Sequence, residues 1–187
     1  MAFPPPDYHR HMAQLITRIL LAARTDLLRA VDDLDETHGA LRLGGLNEPA
    51  WMVAHLAEQE QRCWLSAFRQ PPVAPELDAY RRGRPDEVMP LSRAVDTWLA
   101  VASATEPRLL GLKETELARP APDPSAGPSE HVGVMCVRVF GHYYLHIGQL
   151  TAVRRWVGLP VPAFVGRLPA PDAGDDWIDP RLRAPSG

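Results

Sequence analysis

His142 and His146 stand four residues apart in Gly141-His-Tyr-Tyr-Leu-His-Ile-Gly-Gln149. The stretch is apolar-periodic, and a helix there puts both imidazoles on one face, one turn apart. His55 lies far away in sequence, in Trp51-Met-Val-Ala-His-Leu-Ala-Glu-Gln-Glu60, among equally helical neighbours. Two antiparallel helices can bring it against the pair. Three neutral imidazoles converging on one point make an open divalent-metal site, with a fourth position free for water or substrate. Histidines four apart also recur on helix surfaces by accident, so the pair alone leaves a structural reading open. An open three-histidine site supports two chemistries: lowering the pKa of a bound water, or holding a thiol in its nucleophilic thiolate form. No serine or cysteine stands beside a base in the sequence, so activation falls to the metal. Three imidazoles do not select the ion; zinc is expected, with nickel and iron as alternatives.

The neighbours of these histidines are the next candidates. Glu58, one turn beyond His55, either accepts a hydrogen bond from a metal-bound imidazole, or is an additional ligand, or is an exposed helix carboxylate paired with Arg62 four residues on. Tyr143 and Tyr144 read as packing groups, with a phenol reaching the metal's ligand as the alternative. His9, His11, His38 and His131 fall at expected helix ends or loops and read as surface histidines.

Four helices are needed to position these residues. The first is expected over about residues 7–35, with Asp7 at its start and Leu15, Ile19, Ala22, Ala23, Asp26, Leu27, Ala30, Val31 and Leu34 as a mostly three-four stripe. The second begins near Asn47, a side chain able to cap the first turn, with Glu48 and Pro49 suited to that end, and runs to about Phe68. Residues 70–90 hold Pro71, Pro72, Pro75, Pro85 and Pro90 and cannot form a continuous helix. They read as a long crossover, either a plain connector or a segment folded over one end of the bundle to wall a pocket. The third helix starts near Pro90, with a kink expected at Pro107. The fourth spans about residues 130–157, capped by Ser129 and stopped by Gly158 with Pro160 beyond.

At 187 residues and a formal charge of −3, the chain is one ordinary domain without the basic excess that attracts nucleic acid. The expected division is a bundle over residues 1–160 and an irregular, proline-rich tail over 161–187. Cys63 and Cys136 lie in different expected helices and read as small buried groups rather than a disulfide. There is no signal pattern and no membrane-length apolar run, so a cytoplasmic protein without membrane contact is expected. Trp64, Trp98 and Trp156 are available either to the core or to a homodimer interface. Lys113 is the only lysine and Asn47 the only asparagine amid abundant arginine, alanine and proline, the bias of a GC-rich, actinobacterial type of source.

Taken together, Pro49-Ala-Trp51 leading into His55-Leu-Ala-Glu58, the later His142-x-x-x-His146-x-Gly148-Gln149-Leu150, and the closing Gly158-Leu-Pro160 resemble the DinB/YfiT-like superfamily of small metal-binding bundles. The resemblance covers about residues 8–160. It implies an all-α four-helix bundle with up-down-down-up connections, long proline-rich loops, and one divalent metal on His55, His142 and His146. It also implies a candidate activity, a metal-dependent transferase joining a low-molecular-weight thiol to a small electrophile. Mycothiol is the thiol expected from the GC-rich bias. Glu58 as orienter and Gln149, whose amide would hold water or substrate, are the candidate catalytic side chains. A metal-dependent hydrolase of a small amide or ester and a non-catalytic metal-binding bundle remain the alternatives.

Overall fold

The computed structural model describes residues 12–81, 83, 85–122, 130–163 and 175–183. Six α-helices follow in order: α1 (Met12–Val31), α2 (Glu36–Gly39), α3 (Pro49–Trp64), α4 (Leu91–Leu110), α5 (Glu114–Leu117) and α6 (Val132–Trp156). No β-strand occurs among the described residues; one isolated antiparallel bridge joins Pro120 and His131. The expected all-α bundle is what the chain forms, with α1, α3, α4 and α6 as its four long members. Asp7, His9, His11 and Ser129, read as helix caps or surface histidines, lie outside the described residues.

Hydrogen bonds between helices fix their directions. Thr17 of α1 donates to the Leu109 carbonyl of α4, and Arg24 to that of Ala102, so these two helices run antiparallel. Tyr144 of α6 donates to Asp26, and Arg154 ten residues on donates to the Ala30 carbonyl, so α1 and α6 run parallel. His55 meets His142 while Trp51 meets His146, making α3 antiparallel to α6. The order is therefore up, down, down, up. Two consecutive parallel helices require a long return, and residues 65–90 supply it.

Each long helix begins or ends for a local reason. Asn47 does not cap α3: the N-cap is Glu48, without a side-chain cap bond, and Pro49 follows at the first turn, where its missing N–H is no loss. Pro90 is the N-cap of α4 and cannot bond its first amides with a side chain. Glu36 does so from α2, accepting from Leu91 N at 2.7 Å and Ser92 N at 2.9 Å. This junction is tight, since a Cβ placed on Gly39 would fall 2.5 Å from the Cβ of Leu91. Gly39 is a point of close approach between α2 and α4. The α4 helix continues through Pro107 and ends three residues later. At the end of α6, Gly158 takes a left-handed φ of 77°, and Leu159 N bonds back to Arg154 O at 2.9 Å, a Schellman stop.

A charged network crosses the apolar core at mid-height, and Asp26, Glu48, Glu58 and Arg154 are buried outside it. Arg24 and Glu60 are both buried and form a two-point ion pair at 2.9 and 2.8 Å. Tyr143 donates to the same Glu60 at 2.7 Å and accepts from Trp98 Nε1 at 2.8 Å, while Arg24 also donates to Thr105 Oγ1. All four long helices meet in this cluster, which fixes the rotation of α6 beside His142. Trp64 and Trp98 are core residues, and Trp156 is exposed. Cys63 and Cys136 are buried thiols that form no disulfide. In the tail, residues 175–183 carry two short 3₁₀ turns, and Ile178 and Leu182 pack into the same core.

Candidate metal centre

The first half of α3 and the middle of α6 carry the site. His55, His142 and His146 each present one ring nitrogen to a common point, and the three donor atoms all lie within 4.8 Å of one another. His142 Nε2 is 3.2 Å from His55 Nε2 and 3.0 Å from His146 Nε2. The four-residue spacing on α6 and the antiparallel approach of α3 produce this convergence, as the helical reading of the two stretches requires.

The second nitrogen of every ring is engaged. His55 Nδ1 lies 2.7 Å from the Tyr80 carbonyl, His142 Nδ1 2.7 Å from Gln59 Oε1, and His146 Nδ1 2.7 Å from Gln149 Oε1. A backbone carbonyl only accepts, so His55 carries its proton on Nδ1, and the two amide oxygens impose the same tautomer on the other rings. Each Nε2 is then a bare lone pair. Three such lone pairs, two of them 3.2 and 3.0 Å from that of His142, cannot hydrogen-bond among themselves, because none holds a proton to share. A divalent cation between them satisfies all three, so the donor set fits a metal.

Electrostatics keeps the rings neutral. Burial pushes the His142 imidazole down to about 3, with further lowering from the neighbouring His146 and His55. Burial likewise brings His146 down to about 4, and it lowers His55 against the opposing effect of the Tyr80 carbonyl. Neutral imidazole is the ligating form, so the site needs no proton loss near neutral pH to receive an ion.

The crossover forms one wall. Its 3₁₀ turn Pro75–Tyr80 delivers the carbonyl to His55, and Trp51 Nε1 donates to the Gly83 carbonyl at 2.9 Å. The Trp51 ring stacks on His55 with centroids 4.5 Å apart. The crossover is thus more than a connector, because its Tyr80 and Gly83 carbonyls meet His55 and Trp51. Gln61 ties the segment down: its Oε1 accepts from Val73 N and Ala74 N at 2.8 and 2.9 Å, and its Nε2 donates to Ala74 O at 3.1 Å.

The other candidates sit as follows. Glu58 accepts from Arg62 Nε at 2.9 Å, and Arg81 stands 4.0 Å away; its second oxygen is buried without a partner. The oxygen at His55 Nδ1 is therefore the Tyr80 carbonyl and not the Glu58 carboxylate. Burial raises the Glu58 carboxyl despite the nearby Arg62. Gln149 meets His146 itself. Tyr143 and Tyr144 turn to Glu60 and Asp26. His38 joins a reciprocal cap with Asp35, and His131 is the exposed N-cap of α6. Sequence reasoning missed Gln59 and Tyr80. The signal for Gln59 was its place four residues after His55, on the same helix face; a backbone carbonyl leaves no signal.

No helix among the described residues is long and apolar enough to cross a membrane. No curated protein matches the sequence. The family model for the DinB superfamily matches residues 19–150, a span that holds all three histidines and every oxygen bonded to them, and the chain belongs to the DinB superfamily.

Proposed function

We propose that the protein is a metal-dependent transferase that joins a low-molecular-weight thiol, mycothiol in the first instance, to a small electrophile, with His55, His142 and His146 as ligands of one zinc ion. The convergence of three unprotonated Nε2 atoms, with no fourth histidine, cysteine or carboxylate among the described residues in that group, carries the reading. A three-coordinate site leaves room for a reactant, whereas structural zinc sites are closed by four protein ligands.

When bound, the ion supplies a Lewis acid that lowers the pKa of a thiol or water beside it. The chain's own groups do the rest. Gln59, Gln149 and the Tyr80 carbonyl hold the three Nδ1 protons and so keep each Nε2 aimed inward. Trp51 covers one face of His55 and keeps water from it. Glu58 holds Arg62, and with Arg81 nearby it ties α3 to the end of the turn that carries Tyr80.

An external thiol is favoured because the protein's own sulfur is unsuited to attack. Both cysteines are buried, and burial pushes the Cys136 thiol up to about 12. The test is conjugation of mycothiol to monobromobimane or chlorodinitrobenzene by zinc-loaded protein. The reading expects turnover that needs both zinc and thiol and is lost in His142→Ala. Rates equal to that variant's would overturn it for those acceptors, and metal-dependent turnover without thiol would favour a hydrolase.

A further inference from the structure

A second cavity, of about 620 Å³, opens between the ends of α3 and α4, α5 and the start of α6. Its wall residue Trp64 lies nine positions beyond His55 on α3, about 13 Å along the helix axis, and no histidine is among its described lining residues. The volume is in the range of small-molecule sites. Trp64, Phe68 and Pro107 give it apolar walls.

Two of its lining side chains carry unmet donors. Trp64 is 1% exposed, yet its Nε1 has no hydrogen-bond partner, and neither does the buried Nε of Arg108. Native proteins leave few such groups, because a buried donor without an acceptor forfeits its hydration for nothing. The Arg108 guanidinium is held in place by stacking 4.0 Å over Phe68 and by a 2.7 Å bond from its outer nitrogen to Glu116. Arg119 is a further lining residue, so among the described residues the lining holds two arginines and one carboxylate, that of Glu116. The cavity thus combines apolar surface, unsatisfied N–H groups and a net positive charge.

We propose that this cavity is a second ligand site, independent of the metal centre, for a small carboxylate with an apolar body such as an aryl-alkanoic acid. The carboxylate supplies the acceptors that Trp64 and Arg108 lack and balances the excess guanidinium charge. The ring or short chain fills the space beside Trp64, Phe68 and Pro107. A cationic ligand of the same shape meets the wrong charge at Arg108 and Arg119.

The test follows the indole N–H resonance of Trp64 in ¹⁵N-labelled full-length protein, identified by its loss in Trp64→Phe, while 4-phenylbutyrate or 4-phenylbutylamine is added. The expected result is a saturable downfield shift with the carboxylate and none with the amine. Arg108→Gln should weaken the carboxylate by about tenfold. Ala104→Phe, which fills the mouth without removing a donor, should abolish the shift in a protein of unchanged helicity. The shift should persist after chelation and in His142→Ala, which separates this site from the thiol chemistry. Equal response to the amine, no saturable shift up to roughly 10 mM carboxylate, or a shift that disappears on chelation would overturn the proposal.

Discussion

Gln59 of α3 accepts the Nδ1 proton of His142 on α6 at 2.7 Å, so one helix orients the ligand that the other contributes. The same bond makes the seam between α3 and α6 part of the site. Replacing Gln59 with leucine keeps the volume and removes the acceptor. Zinc affinity, read by competition with a chromophoric chelator, should fall about 10–100-fold with helicity unchanged, and Gln149→Leu should behave alike. Glu58→Gln, which weakens the hold on Arg62 and leaves every histidine bond in place, should change zinc affinity much less. An equal loss in all three variants would contradict these roles.

The histidines also make the metal-free protein acid-sensitive. A buried imidazole resists protonation in the folded state, whereas the unfolded chain protonates near 6.5, so stability is greatest above that value and falls as pH drops toward the folded values of about 4 for His146 and about 3 for His142. His146 alone should cost about 2 kcal/mol between roughly pH 7.5 and pH 5, and the more exposed His142 adds a smaller, screened amount. Urea denaturation of apo protein at the two pH values measures this. His146→Gln should flatten the dependence.

Gln61 makes its side-chain hydrogen bonds to the crossover, which its amide holds through Val73 and Ala74. Gln61→Ala should destabilise the fold by about 2–3 kcal/mol and loosen the segment that presents the Tyr80 carbonyl. Hydrogen exchange over residues 73–81 should speed up, and zinc affinity should fall in parallel.

The Arg24–Glu60 pair lies wholly inside the bundle. Glu60→Leu strands a buried guanidinium and should cost about 3–5 kcal/mol. Arg24→Met combined with Glu60→Leu should recover much of that loss. A double-mutant cycle by urea denaturation gives the coupling.

Much of this organisation was legible in the sequence because it rests on periodicity and on chain-stop chemistry. His142 and His146 share a face in any helix, and Gly158 followed by Pro160 marks where α6 must end. Pro90 marks the start of α4, though not the cap that Glu36 supplies from another element. The bonds around the histidines were harder to read. Glu58 and Gln59 are adjacent polar residues on one helix, and which of them meets a ring depends on the rotation of α3 against α6. That rotation is set by buried contacts such as Tyr143 with Glu60, which join residues 83 positions apart. Asn47 has the side chain of a cap, but the chain enters α3 one residue later, through Glu48 and Pro49.

Metal content of the purified protein, measured by elemental analysis after equilibration with limiting zinc, shows whether His55, His142 and His146 hold an ion. One zinc per chain is predicted for the wild type, and far less for His55→Ala, His142→Ala and His146→Ala, each with unchanged helicity. Wild-type stoichiometry in the protein lacking all three histidines, or no retained zinc in the wild type, would show that these imidazoles are not zinc ligands.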